Sequence, residues 1–337
     1  MAFPPVHIHA PQVAHTHTVI LLHGRGSNGP EFREEFFASL TSDGVNLPAR
    51  FPSWRWVFPT SRERDDTRFQ EPMSAWFDAY SLSDIHEHQD LQIEGLKESV
   101  SFMLDLIMAE LQLLSGRPRR LFIGGISQGM ATALWAFLCL PSRLREPVGG
   151  FLGFCGWLPY SQQIEDILAS FMQAHARNMT EVGAKVTHLL LDLTGWPCGG
   201  ANELQFHGVQ TTPVLLSHGV DDAVVDIGLG QRARSILSRL GLSVEWKEYH
   251  GADNEGHWIP EPEGFDDIEF GTQMKTSGRM GLLLTQPDFA NRSGSSFRIF
   301  RRLRIAWQRK IEPQKRSRNG AISMKLVAIY SGVKITD

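Results

Sequence analysis

Short β-rich apolar runs alternate with longer amphipathic stretches through residues 1–271, and this alternation limits the folds open to the chain. His17-Thr18-Val19-Ile20-Leu21-Leu22 ends at His23-Gly24, and a helix-like stretch follows over Glu31–Leu40. Trp54–Phe58 (WRWVF) reads as a strand stopped by Pro59. Over Gln89–Leu114 the apolar residues Leu96, Val100, Met103, Ile107, Leu111 and Leu114 fall on one helical face. Arg120–Gly124 (RLFIG) is a buried-type strand running into a helix over Gln128–Leu140, and Val148–Cys155 is strand-like though Gly-rich. Pro213–Ser217 and Ser243–Tyr249 read as later strands, with a helix near Leu229–Leu240 between them. Strands alternating with helices predict an α/β fold, a mostly parallel central sheet with helices on both faces. Such sheets bind ligands beyond the carboxyl ends of their strands, so the loops after strands carry the functional expectation. Residues 160–212 are less regular and are read as an insertion or cap over that edge.

Composition narrows the class further. With 42% hydrophobic and 21% charged residues in 337, the chain has the make-up of an ordinary globular protein. No apolar run approaches the roughly 20 residues that span a bilayer. The N-terminal MAFPPVHIHAPQVAHTH lacks the basic start and apolar block of a secretory signal. Cys139, Cys155 and Cys198 are too few and too scattered for a disulfide framework or zinc knuckle, so a reducing, cytoplasmic location is expected. Residues 272–337 hold 14 Lys/Arg against 3 Asp/Glu, although the whole chain carries −4. That shift divides a domain over 1–271 from a basic C-terminal extension over 272–337, expected to be disordered. Within the extension, Phe297, Phe300, Leu303, Trp307 and Ile311 approach helical spacing among Arg298, Arg301, Arg302, Arg304, Arg309 and Lys310. A basic amphipathic helix of that kind can make peripheral contact with an anionic membrane surface. Nucleic-acid binding would rest on charge alone and is not expected.

The chemistry concentrates in Gly125-Ile126-Ser127-Gln128-Gly129, a G-x-S-x-G pattern. Chance supplies this pattern in roughly one chain of this size in ten, so it means little alone. Here a strand (RLFIGG) runs directly into it and a helix (QGMATALWAFL) runs directly out, the setting of a nucleophile elbow rather than of a turn with an unremarkable serine. A serine hydroxyl needs a base to take its proton, and in this arrangement an acid and a histidine follow in that order on later post-strand loops. His218-Gly219-Val220-Asp221-Asp222 and His250-Gly251-Ala252-Asp253-Asn254-Glu255-Gly256-His257 are those loops. The acid is Asp222 or Asp221 and the base His257 or His250, with His257 favoured because its Gly-flanked loop has room to reach Ser127. Oxyanion donors are expected from the Gln128 backbone N–H at the helix N-terminus and from the loop His23–Gly29, through Arg25. That loop lacks the ending of a P-loop and the spacing of G-x-G-x-x-G, which excludes the common nucleotide-binding readings. His7, His9, His15 and His17 invite a metal reading, but their every-second-residue spacing also suits two strands of an N-terminal hairpin, and no metal site is expected there.

On these residues the sequence resembles the acyl-protein thioesterase and phospholipase/carboxylesterase family, which has the α/β-hydrolase fold. Leu22-His23-Gly24-Arg25-Gly26, Trp76-Phe77-Asp78, Gly125–Gly129, Ser217-His218-Gly219 through Asp222, and Gly256-His257 stand in that family's order over about residues 6–271. The family pattern H-G-x-x-D-x-V-V lands on His218, Gly219, Asp222, Val224 and Val225, and so favours Asp222 over Asp221. The resemblance implies a catalytic triad of Ser127, Asp222 and His257, with an oxyanion hole from the Arg25 and Gln128 amides. Trp76, Phe77 and Asp78, together with Trp157 and Leu158, would border the acyl pocket, although core packing accounts for the aromatic residues equally well. His218 and His23 read as structural, and Asp78 as fixing a loop. The implied activity is serine hydrolysis of acyl thioesters or esters, most of all of S-acylated proteins, with no metal and no organic cofactor. A carboxylesterase or lysophospholipase is the first alternative. A non-catalytic binding module on a hydrolase scaffold is the second.

Overall fold

The computed structural model describes residues 2–82, 84–173, 178–196, 204–251 and 256–276. The basic extension therefore lies outside the described residues, apart from its first five positions. Along the chain run β1 (His7–His9), β2 (His17–Leu22), α1 (Gly29–Ala38), α2 (Leu47–Arg50), β3 (Trp54–Phe58), β4 (Arg62–Asp66), β5 (Glu71–Ala75) and α3 (Gln92–Leu113). There follow β6 (Leu121–Ile126), α4 (Gln128–Cys139), β7 (Gly150–Phe154), α5 (Ser161–Gln173), α6 (Met179–Leu193), α7 (His207–Gln210), β8 (Val214–Gly219), α8 (Ile227–Arg239), β9 (Val244–Tyr249) and α9 (Glu263–Thr276).

Among the described residues, seven strands form one sheet in the order β1-β3-β2-β6-β7-β8-β9. All neighbours run parallel except β1, which lies antiparallel on β3. This is the α/β-hydrolase architecture. The expected N-terminal hairpin is not formed. β3 intervenes between β1 and β2, so His7 and His9 face β3 and lie a strand away from His17. A separate two-stranded ribbon, β4 with β5, follows β3.

Alternation along each strand divides the core. On one face Ile20, Leu22, Leu121, Ile123 and Leu216 pack with Leu96, Val100 and Met103 of α3, Leu134 of α4 and Ile236 of α8. On the other, Val19, Leu21, Trp56, Phe58, Phe122 and Leu215 pack with Phe32 and Phe36 of α1 and Phe265 and Ile268 of α9. Strands buried on both faces need apolar residues at successive positions, which is why HTVILL and LFIGGI read as continuous runs. Residues 160–212 carry α5 and α6, whose Ile164, Leu168, Val182, Val186 and Leu190 join the first of these cores. Among the described residues no helix is long and apolar enough to cross a membrane.

The order of connections places the functional edge. From β2 the chain moves outward to β3, then returns to lay β6 on the opposite side of β2 and continues through β7, β8 and β9. The strand order thus reverses between β2 and β6, and the crevice beyond their carboxyl ends is the position such sheets use for ligands. The segments there begin at His23 and Ser127. His23 is fully buried, with Nδ1 2.7 Å from the Gly24 carbonyl and Nε2 accepting the Ser61 amide at 2.9 Å.

Two stability predictions follow from this packing. The Trp135 indole is buried in α4 and donates to the Pro159 carbonyl at 3.0 Å. Trp135→Ala is expected to cost about 3–5 kcal/mol in urea unfolding, and Trp135→Phe less. The second concerns pH. Burial lowers the pKa of His23 to about 4, against the opposing Gly24 hydrogen bond. Burial, then Arg120, His15 and Arg117, lower that of His17 to about 4. Both rings stay neutral in the fold while the unfolded chain takes up protons below its ordinary value of 6.5. Stability is therefore expected to be full above that value and to fall as pH drops towards about 4. His23 supplies roughly 3 kcal/mol of the loss. Urea midpoints measured across this range for wild type and His23→Asn check it, the variant giving the shallower slope.

Candidate active site

Ser127 stands between β6 and α4 with φ +57° and ψ −126°, a conformation that costs a non-glycine residue about 1–3 kcal/mol. The surroundings hold it there. Its amide donates to the Phe154 carbonyl at the end of β7 at 2.8 Å, and its carbonyl accepts the Ala131 amide at 3.1 Å. Its hydroxyl makes no capping hydrogen bond to α4, and the residue is buried. The turn is tight enough to exclude side chains. A Cβ on Gly129 would lie 2.3 Å from the Leu22 carbonyl oxygen, and one on Gly125 would lie 2.7 Å from the same atom.

Of the two candidate acids and two candidate bases, the structure brings one pair together. His257 Nδ1 lies 2.7 Å from Asp222 Oδ2. The other carboxylate oxygen of Asp222 accepts the Val224 and Val225 amides at 2.8 and 2.9 Å. Asp221 instead accepts the Gly251 amide at 2.9 Å, and His250 is exposed beyond β9. Burial alone would raise the pKa of Asp222. His257 beside it, hydrogen bonds from His218 and His257, and the Val225 amide outweigh burial and hold the carboxylate far below its ordinary range. His218 reaches this group by a route the sequence did not suggest: its Nε2 sits 3.2 Å from Asp222 Oδ2 and 2.9 Å from the Val225 carbonyl. The S-H-G run that ends β8 was the available signal, since a histidine at a strand's end faces the same edge as the acid four residues on.

The Gln128 side chain spans from α4 to the Trp76–Phe77 segment, accepting the Trp76 amide at 2.9 Å and donating to the Phe77 carbonyl at 2.8 Å. The Trp76 indole donates to the His23 carbonyl at 2.8 Å. Trp76 is wedged beside the His23 ring and against Phe3, which is core packing. Phe77 meets Trp157 edge to face, with centroids 6.1 Å apart. Both are buried, as is Leu158. Asp78 accepts the Thr67 hydroxyl and so ties down the loop after β4.

Arg25 is buried to 4% exposure, unusual for a guanidinium. Nη1 donates to Asp66 Oδ2 at 3.3 Å and to the Ala79 carbonyl at 2.9 Å. Burial lowers its pKa, with Asp66 and Asp78 acting in the opposite sense. Asp66 is itself fixed by the Arg68 and Phe69 amides at 3.0 and 2.9 Å. Two further bonds join the loop to β5, from the Gly26 amide to the Ser74 carbonyl and from the Ser74 hydroxyl to the Ser27 carbonyl, both 2.7 Å. The β4–β5 ribbon therefore grips the loop that begins at His23. Sequence reasoning missed it because RERDD and EPMSA carry no apolar alternation.

Comparison with known proteins agrees with this architecture. The family model described as phospholipase/carboxylesterase matches residues 5–180. An acyl-protein thioesterase 1 of Schizosaccharomyces pombe is 34% identical over 184 residues, covering 54% of this chain and 71% of the relative. Another, from Yarrowia lipolytica, is 29% identical over 253 residues, or 74% and 88%. A probable carboxylesterase of Oryza sativa subsp. japonica is 27% identical over 250 residues, 73% of each chain. Among solved structures, the acyl-protein thioesterase 2 of Zea mays superposes with a TM-score of 0.56 at 25% identity, covering 81% of this chain and 99% of its own. The chain belongs to the phospholipase/carboxylesterase family of α/β-hydrolases.

Proposed function

We propose that this protein is a serine hydrolase acting on acyl thioesters and esters, with S-acylated proteins as its main substrates. The observation that carries the reading is the 2.7 Å contact between His257 and the doubly anchored Asp222. It lies at the same sheet edge as Ser127, whose amide is bound by Phe154. With Nδ1–H directed at Asp222, the lone pair of His257 resides on Nε2, the nitrogen required to take the Ser127 proton. Ser127 Oγ attacks the acyl carbonyl as that proton passes to His257. Asp222, held anionic, stabilises the imidazolium, and the Gln128 and Arg25 backbone amides receive the charge on the acyl oxygen. Collapse expels the thiolate or alkoxide, which takes the proton from His257 and leaves an acyl ester on Ser127. Water, deprotonated by His257, then releases the fatty acid.

The names of the fungal relatives, acyl-protein thioesterase 1, favour protein thioesters as the leaving side. The rice relative's description as a probable carboxylesterase supports the second reading, hydrolysis of small oxyesters by the same residues. The basic extension over 272–337 would add peripheral contact with anionic membranes, where S-acylated proteins reside.

Ser127→Ala is expected to lower kcat by roughly 10³–10⁶ on a matched thioester and oxyester pair. Thioester turnover well above oxyester turnover supports the main reading, and the reverse ratio supports the carboxylesterase. Equal slow rates for wild type and Ser127→Ala would overturn both and leave a binding module.

The ribbon generates a separate prediction, because Asp66 never meets substrate in this scheme and acts by holding Arg25. Asp66→Asn keeps the shape but weakens the buried ion pair. It is expected to lower kcat roughly 10-fold with KM little changed, less than the roughly 10²–10³ for outright loss of an oxyanion donor. Assays at temperatures where circular dichroism shows the variant folded separate this effect from lost stability.

A further inference from the structure

The serine mechanism has no use for a thiol, yet one stands beside its acid and base. Cys155 directly follows β7, one residue after the carbonyl that binds the Ser127 amide. Its Sγ lies 3.5 Å from the Gly256 carbonyl and 3.6 Å from that of Trp258, on either side of His257. One donor atom each from Cys155, Asp222 and His257 falls within 4.8 Å of the other two. We propose that these three residues form an inhibitory site for a thiophilic divalent cation, zinc above all.

The donor set selects the ion. Thiolate, imidazole and carboxylate are zinc ligands, with bonds of about 2.0–2.3 Å, whereas calcium and magnesium take oxygen donors. Three protein ligands plus one water complete a tetrahedron. Its ligand atoms stand roughly 3.3–3.8 Å apart given those bond lengths, so where Nδ1 is the ligand atom the 2.7 Å contact between His257 and Asp222 opens by roughly 0.6 Å. The Val224 and Val225 amides bind Oδ1 of Asp222, so Oδ2 can turn to the ion while the carboxylate stays anchored. Binding releases the thiol proton of Cys155 to solvent and changes no oxidation state.

Inhibition follows whichever ring nitrogen binds. A cation on Nε2 occupies the lone pair that would accept the Ser127 proton. A cation on Nδ1 displaces the proton there to Nε2 and abolishes the same lone pair. This consequence rests on the serine-hydrolase reading, but binding of the ion does not.

The two are therefore tested separately on the full chain. In cobalt(II) titrations, wild type and Ser127→Ala are expected to show thiolate-to-cobalt charge-transfer absorption. Cys155→Ser should lose it, and Cys139→Ser should keep it. In hydrolysis of a p-nitrophenyl acyl ester, zinc is expected to inhibit wild type reversibly, with activity restored by EDTA. Cys155→Ser should keep its zinc-free kcat and need roughly 10–100-fold more zinc or higher, since even partners behind the ligands contribute that much to affinity. Equal zinc sensitivity of wild type and Cys155→Ser would overturn the proposal, as would cobalt spectra without a Cys155-dependent band. Cobalt binding without zinc inhibition would overturn the regulatory role. If Ser127→Ala were fully active, the hydrolase mechanism would fail while the cobalt result still decided the site.

Discussion

The arrangement depends on how closely α4 starts against the end of β2. Gly125 and Gly129 flank Ser127, and a Cβ on either would collide with the Leu22 carbonyl oxygen. Only that approach lets β6 turn into α4 within a single residue, and the turn forces Ser127 into its positive φ. The strain is balanced from outside the turn by the Phe154 carbonyl on the neighbouring strand. Three adjacent parallel strands, β2, β6 and β7, thus share in holding one serine, and the sheet is the rigid body against which the rest of the site is registered.

Electrostatics around Asp222 are arranged with equal economy. A carboxylate taken out of water would normally become protonated. Two backbone amides and two imidazoles prevent this, and the amides come from residues two and three positions further along its own loop. A bend of this type forms from local sequence alone. The histidines must be delivered by separate parts of the chain, His218 by the end of β8 and His257 by the loop after β9.

The sequence made most of the sheet readable because strands buried on both sides cannot hide their composition. HTVILL, WRWVF and LFIGGI carry too few polar residues to be anything else, and the amphipathic face over Gln89–Leu114 matches α3 closely. The elbow was legible for a related reason: close approach demands glycine, and glycines at fixed offsets around a serine are a written record of that demand. What stayed hidden depended on partners rather than patterns. The β4–β5 ribbon is built from charged residues whose pairing with Arg25 and Glu98 leaves no periodic trace. The four N-terminal histidines have a hairpin's spacing, and only the insertion of β3 between them shows which strand each faces. Asp221 and Asp222 differ by one position, and only the resemblance, not their composition, favoured Asp222. Cys155 gave no sign of its surroundings because its neighbours, Gly256 and Trp258, lie about a hundred positions away.

The burial of Arg25 with Asp66 also constrains how this protein can evolve. A guanidinium enclosed at this depth becomes costly once its carboxylate is lost. The carboxylate is equally stranded without it, although two amides soften that loss. Neither position can drift alone. A descendant that replaced Arg25 by an apolar residue would be released to change Asp66, and with it the length and charge of the whole ribbon. Positions 25 and 66 should therefore vary as a pair among close relatives, and where the pair is lost, the ribbon is the segment free to diverge.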